Sequence, residues 1–276
     1  MRRSIKTVRF DLAQTMECGQ FFNWLRLERG YRIRAHGRVF DVRQEGDRLL
    51  FSGADHAFIR RFFALGHDPE AIRASMPRDS WLDQAFAACG RLRLLRQDPW
   101  ECLVAFLLSP VSNIPRIQRN LISVYEATGF DPGRMNDEAL LRSLGLGFRW
   151  RFLASAARQA GARGRTAAAR RAPGAPRGAG GPFGTTESVE GLDGILGFGP
   201  KVRDCVRLFG YGDMAAFPVD TWIRRVLREL YGVKLKDDGL RLWARRRFGP
   251  WSGYAQQWLF AWSREYPGLK APKGSG

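Results

Sequence analysis

Leu196-Gly197-Phe198-Gly199-Pro200-Lys201-Val202-Arg203-Asp204-Cys205 leads, a short way on, to Phe217-Pro218-Val219-Asp220. Two glycines two positions apart give a tight turn whose backbone can approach a partner closely. Pro200 suits the first turn of a helix, where its missing N–H costs nothing. The free N–H groups at that helix start favour a phosphate. Before the turn, Val189, Leu192 and Leu196 fall at helical spacing, although Gly191 and Gly194 weaken that helix. The pattern predicts a helix–hairpin–helix with Lys201 on the first turn of its second helix. Asp220 is placed to cap a further helix from Thr221 to about Tyr231.

The stretch belongs to a chain of 276 residues, 45% hydrophobic, enough for one large or two modest globular domains. The formal net charge is +18, which points to a polyanionic partner, nucleic acid before membrane. A basic protein that is merely soluble is the plainer alternative. Cys18, Cys89, Cys102 and Cys205 are scattered and form no CxxC, and His36, His56 and His67 show no ligand spacing. Neither a metal nor a cofactor is expected. The first twenty residues lack the apolar core of a signal peptide. The longest apolar run, Cys102 to Leu108, is too short to cross a bilayer. These features read as an intracellular protein with no membrane partner, in the cytoplasm or nucleoid of a bacterium or the nucleus of a eukaryote.

Residues 1 to about 53 read as strands. Tyr31, Ile33 and Ala35 alternate with Arg32 and Arg34, and His36-Gly37-Arg38 and Glu45-Gly46-Asp47 are turns of an antiparallel meander. From Ala57 the period becomes helical. Asp98-Pro99-Trp100-Glu101 is a helix start with a cap, a proline in the first turn and a glutamate three residues after the cap. The body that follows is hydrophobic all round, so this helix should be central. Ser109-Pro110-Val111-Ser112-Asn113 interrupts it, and a second helix runs from Ile114 to about Thr128. Residues 161–184 are Gly, Ala, Arg and Pro with one threonine, one phenylalanine and no acidic residue, a composition that suits a basic flexible linker. Helices follow at about Asp238 to Phe248 and Trp251 to Glu265. The division expected is an antiparallel β domain over 1–75, a helical body over 76–266 and a tail over 267–276.

A lysine amine freed of its proton can attack the sugar carbon of a nucleoside and then hold the opened sugar as a Schiff base. A carboxylate opposite stabilises the positive charge that develops on the sugar as the base leaves. Lys201 and Asp220 at a phosphate-binding turn suit that chemistry. The plainer readings are a lysine that is solvated or bound to phosphate and an aspartate that only caps a helix. Lys201 and Cys205, four apart, share a helix face with Asp204 alongside; Gln256 and Phe260, also four apart, present an amide and a ring. An amide and a ring can hydrogen-bond and stack a flipped base, but either could equally be core.

Taken in order, the motifs resemble those of the 8-oxoguanine DNA glycosylases of the helix–hairpin–helix superfamily. The likeness runs through Glu17-Cys18-Gly19-Gln20-Phe21-Phe22-Asn23-Trp24, Leu94-Leu95-Arg96-Gln97-Asp98-Pro99, Asn113-Ile114-Pro115-Arg116-Ile117 and Leu144-Gly145-Leu146-Gly147-Phe148-Arg149. It continues through Gly199 to Cys205, Pro218-Val219-Asp220 and Tyr254-Ala255-Gln256-Gln257-Trp258-Leu259-Phe260. The resemblance implies an α+β fold, an N-terminal antiparallel β domain packed on a mainly α-helical glycosylase body. It implies a bifunctional glycosylase and abasic-site lyase acting, as a monomer, on double-stranded DNA with 8-oxoguanine opposite cytosine. Lys201 would be the Schiff-base lysine and Asp220 the catalytic aspartate. The Gly19 carbonyl would accept the extra N7 hydrogen that separates the lesion from guanine. Cys205 and Phe260 would sandwich the flipped base and Gln256 read its Watson–Crick edge. Arg116 and Arg149 would hold the estranged cytosine with Phe148 wedged beside it, and Asn113, Gly197, Gly199 and Trp222 would complete the DNA-facing set.

Val111 stands where the family usually has an asparagine filling the vacated space; a valine fills it but cannot hydrogen-bond the cytosine. Trp222 stands where a histidine usually contacts the lesion's phosphate. The 161–184 stretch replaces a segment that is usually helical. Two other functions share parts of the pattern. A monofunctional alkylpurine glycosylase has the hairpin and aspartate but does not need Lys201. A non-catalytic helix–hairpin–helix protein would bind DNA with strong salt dependence and no chemistry.

Overall fold

The structure, a computed structural model, describes residues 3–169 and 189–269. Five strands, β1 (Arg3–Lys6), β2 (Trp24–Leu27), β3 (Gly30–Ala35), β4 (Arg38–Glu45) and β5 (Arg48–Ser52), form one antiparallel sheet in the order β1-β5-β4-β3-β2. The alternation in β3 decides its faces. Tyr31 pairs with Val42 and Ile33 with Phe40, all four buried, while Arg32 pairs across the exposed face with Asp41 at 2.8 and 2.9 Å. His36 and Gly37 both take positive φ (+54° and +67°), the geometry that turns a two-residue hairpin.

The expectation of strands throughout residues 1–53 fails at Leu12–Glu17, which is a helix, α1. Asp11 caps it, its carboxylate accepting the Gln14 N–H at 2.8 Å, and Leu12, Thr15 and Met16 face inward at the helical spacing. The helices that follow are α2 (His56–Phe62), α3 (Pro69–Ala74), α4 (Ser80–Cys89), α5 (Pro99–Leu107), α6 (Ile114–Thr128), α7 (Pro132–Met135), α8 (Glu138–Ser143) and α9 (Trp150–Ala169). Then come α10 (Pro200–Cys205), α11 (Thr221–Glu229), α12 (Asp237–Phe248) and α13 (Ser252–Ser263).

Two hydrophobic cores result. One lies between the sheet and α2 and includes Ile33, Phe40, Phe51, Phe58 and Phe62. The other is helical and centres on α5, of whose residues only Glu101 is not fully buried. Ile72, on the N-terminal side of the boundary expected after residue 75, packs in the helical core with Met76. Glu101 does not close a box on its own helix start. Asp98 accepts the Trp100 and Glu101 N–H groups at 2.9 and 3.1 Å, and the Glu101 carboxylate instead accepts the backbone N–H groups of His36 and Gly37 at 2.9 and 3.0 Å. It thus ties the β3–β4 turn to the central helix. Burial pushes its carboxyl up to about 7, with the Asp98 charge adding to the effect.

α9 continues through residues 161–169, the start of the stretch expected to be a linker; the rest of that stretch, 170–184, lies outside the described residues. In the expected tail, Leu269 is buried in the helical core, and residues 270–276 lie outside the described ones.

Candidate active site

The hairpin begins at a short 3-10 turn, Val189–Leu192, rather than at a helix running to Leu196. Gly194 and Gly197 take φ of +93° and +84°, which breaks the helical path and leaves Leu196 exposed at the tip. A Cβ on Gly197 would meet the Phe152 ring at 2.6 Å, so only glycine lets this turn lie against α9. The Leu196 N–H donates to the Ser155 hydroxyl of α9 at 3.0 Å. Gly199 is extended and precedes α10 without a side-chain cap, and Pro200 opens the helix. The N–H groups of its first turn therefore remain available to a phosphate.

Lys201 leans back onto the end of α5. Its Nζ donates to the Ser109 hydroxyl at 3.0 Å and lies 4.8 Å from the centre of the Phe106 ring. Cys205, one turn further along α10, is buried; burial pushes its thiol up to about 12, against the opposing pull of the Lys201 charge. After Cys205 the chain makes a π-type turn, Val206–Gly210. The Gln97 N–H donates to the Phe209 carbonyl at 3.0 Å and the Phe209 ring stacks on Phe106 at 5.6 Å, so this turn is locked to α5. Asp204, expected alongside the lysine, faces α12 and pairs with Arg241, which also binds Asp238 at 2.8 Å.

Asp220 is the N-cap of α11, its carboxylate accepting the Ile223 N–H at 2.8 Å. It is also half-buried near Lys201. Burial raises its carboxyl above the ordinary range, and the Ile223 N–H, the Lys201 charge, the Trp222 N–H and Arg224 oppose that rise. The cap and the proximity to the lysine are therefore properties of one carboxylate, and the two readings of Asp220 do not compete.

Segments far apart in the sequence meet here. Gly19, at φ +83°, lies so close to α6 and α13 that a Cβ would sit 2.9 Å from Ile114 Cδ1 and 3.1 Å from the Phe260 ring. Gln257 of α13 donates to the Cys18 carbonyl at 2.9 Å, which fixes that backbone. Gln256 is 5% exposed and its Oε1 is buried with no hydrogen-bond partner among the described residues. An unsatisfied buried amide oxygen costs free energy that a hydrogen-bond donor on a ligand would recover.

The loop from Ser109 to Asn113 carries a second group. Asn113 caps α6, accepting the Arg116 N–H at 3.0 Å, and Arg116 projects to solvent. Val111 is 84% exposed at φ +50°. Phe148 is 46% exposed and packs edge-on to Phe152 at 5.5 Å. Arg149 differs from Arg116 in being buried. Its Nε and Nη2 donate to the Pro110 carbonyl at 2.9 and 2.5 Å, Nη2 also donates to the Val111 carbonyl, and the guanidinium lies 4.6 Å from the Phe148 ring. Trp222 is half-buried on the first turn of α11. Sequence reasoning missed Ser109, Phe106 and the Glu101 tie; a serine and a phenylalanine at a helix end carry no pattern that would single them out. No group of three or more metal-ligating side chains occurs among the described residues.

Residues 3–103 match the family model of the 8-oxoguanine DNA glycosylase N-terminal domain. The solved structure of MBOgg1 in complex with a low-affinity DNA ligand is similar at TM-score 0.80 and 30% identity, with 96% of each chain covered. The 8-oxoguanine glycosylase/lyase of Clostridium acetobutylicum, in complex with double-stranded DNA containing cytosine opposite 8-oxoguanine, is similar at TM-score 0.78 and 25% identity, covering 96% of this chain and 98% of that one. A curated relative, the Probable N-glycosylase/DNA lyase of Methanothermobacter thermautotrophicus, is 41% identical over 71 residues, 25% of this chain and 23% of its own length. With a glycine hairpin opening α10, a lysine and a carboxylate beside it, and a likeness that extends over nearly the whole chain, the protein belongs to the 8-oxoguanine DNA glycosylase family.

Proposed function

We propose that this protein is a bifunctional DNA glycosylase and abasic-site lyase that excises 8-oxoguanine from duplex DNA, with Lys201 and Asp220 as the catalytic pair. The reading rests above all on one arrangement: Lys201 stands on the first turn of α10, just after the glycine turn and held at the end of α5, and its charge bears on the half-buried Asp220 carboxylate that caps α11. With one proton removed, Nζ attacks C1′ of the lesion nucleoside, and the base leaves with the electron pair of its glycosidic bond and takes up a proton. Asp220 stabilises the positive charge on the sugar as that bond breaks. Nζ, positively charged after the attack, then gives up one proton, its freed electron pair forms the C=N bond, and the ring oxygen leaves C1′ with its own pair and takes up that proton, which gives a protonated imine on Lys201. Loss of a C2′ proton sends electrons toward the imine and expels the 3′ phosphate, cutting the strand; water later releases the lysine.

The extra N7 hydrogen of 8-oxoguanine is the one donor that guanine lacks, and the Gly19 carbonyl is the acceptor we assign to it. Cys205 and Phe260 flank the flipped base, and the unpartnered Gln256 Oε1 takes a donor from its Watson–Crick edge. Arg116 and Phe148 face the opposite strand, with cytosine as the partner base, and the hairpin N–H groups take the phosphate. The protein acts inside the cell as a monomer on DNA.

The test is incubation with an 8-oxoguanine duplex and borohydride, which reduces a Schiff base to a stable link. The expected result is base release, strand scission and a covalent adduct that is absent with a guanine duplex. DNA binding with no released base would instead identify a non-catalytic DNA-binding protein.

A further inference from the structure

Lys201 rests on two groups that the mechanism has not yet used. The Ser109 hydroxyl donates its own proton to the Phe106 carbonyl at 2.7 Å, which leaves its lone pairs for the Nζ hydrogen at 3.0 Å. Ser109 therefore faces the lysine as an acceptor. The Phe106 ring, 4.8 Å from Nζ, is itself fixed, 3% exposed, stacked on Phe209 at 5.6 Å and edge-on to Phe22 at 5.8 Å. A lysine side chain has four flexible bonds, and holding it in one rotamer removes freedom that the reaction would otherwise have to remove.

We propose that Ser109 is a positioning residue for Lys201. It takes one N–H of Nζ, and because its own proton is committed to Phe106 it cannot donate back and occupy the nitrogen lone pair. Once the amine has lost a proton, its lone pair is therefore left free for the sugar carbon. Phe106 provides the floor against which the chain lies. This inference rests on the glycosylase and lyase reading and adds to it the residue that aims the nucleophile.

Ser109→Thr and Ser109→Val differ in a hydroxyl and not in shape, so any packing disturbance is common to both. Adduct formation is followed in single turnover, with 8-oxoguanine duplex and with a preformed abasic site, and the DNA Kd is measured in parallel. The valine variant is expected to form adduct about tenfold more slowly than the threonine variant on both substrates, as loss of an orienting contact does. Their Kd values are expected to agree within about twofold, since the contact touches no DNA. Equal rates in the two variants would overturn the proposal, as would a rate difference matched by an equal difference in Kd. Failure of the underlying reading is separately visible, because the wild-type protein would then form no adduct with either substrate, and the positioning role would fall with it.

Discussion

Buried Arg149 holds the carbonyl of Val111, and so fixes an 84%-exposed valine at φ +50° at the tip of the loop between α5 and α6. A β-branched residue pays for that backbone with strain on the order of 1 kcal/mol or more. Exposed, apolar and strained, Val111 takes no part in the protein's own core. Asparagine tolerates this conformation better and adds hydrogen-bonding groups. Val111→Asn is therefore expected to raise stability by about 0.5–1 kcal/mol, seen as a melting temperature higher by roughly 2 °C. It is also expected to sharpen discrimination among bases opposite the lesion, measured as excision rates with cytosine, adenine and thymine opposite. An unchanged ratio would mean that Arg116 and Phe148 set the preference without this position.

Asp220 separates capping from catalysis. Asparagine caps a helix as well as aspartate does, so Asp220→Asn keeps the Ile223 N–H satisfied while removing the charge. Base release is expected to fall by about two to three orders of magnitude. The sign for stability is the opposite. Burial raises this carboxyl above its ordinary value of 3.8, so the native state holds its proton more tightly than the unfolded chain. Its contribution to stability therefore declines as pH rises through the window above 3.8, and at pH 7 the neutral amide is expected to be at least as stable by denaturant titration. The acid limb of wild-type activity is expected to lie above the usual aspartate range for the same reason. A destabilised, still active variant would mark Asp220 as a cap alone.

How much of this was legible in the chain follows from the range of the interactions. The meander turns and the span of α6 were readable because a two-residue period, a proline in the first turn and Gly129 at φ +60° are local signals. α1 was hidden because six residues flanked by strands carry too short a period to stand out, and only Asp11 marked its start. Leu196 was misplaced because two positive-φ glycines outweighed the apolar spacing. Glu101 left its expected box because the β3–β4 turn, some sixty residues earlier, offered two N–H groups. Arg149 was expected at the DNA, and its burial beneath Val111 depends on a loop that no nearby residue encodes. Lys201 and Asp220 stand out in the sequence as parts of a motif, whereas the seat of Lys201 on Ser109 and Phe106 is a contact across the fold.

Gly19→Ala tests the lesion contact. A side chain at φ +83° is strained by about 1 kcal/mol, and its Cβ would press on Ile114 and the Phe260 ring. The Phe260 ring must shift by a few tenths of an ångström, which disturbs the stacking surface proposed for the base along with the Gly19 carbonyl. The expected outcome is a folded protein whose preference for 8-oxoguanine over guanine, measured by competitive binding, drops by about tenfold or more. Retained selectivity would remove Gly19 from the recognition set.

Asp204→Ala addresses the frame behind the lysine. The side chains of Asp204 and Arg241 are 8% and 14% exposed, and the pair joins α10 to α12. Removing the carboxylate leaves a largely buried guanidinium whose remaining carboxylate partner, Asp238, is exposed. The expected cost is about 3 kcal/mol in a denaturant titration. A cost near zero would show that solvent replaces the lost partner.

The identity of the nucleophile can be read directly as the mass of the reduced adduct and the peptide that carries it. After borohydride trapping on an 8-oxoguanine duplex and proteolysis, the sugar remnant is expected on the peptide containing Lys201, with no adduct in Lys201→Gln. A remnant on another amine of the wild-type protein, or an undiminished adduct in Lys201→Gln, would contradict the assignment of Lys201 as the residue that attacks the sugar.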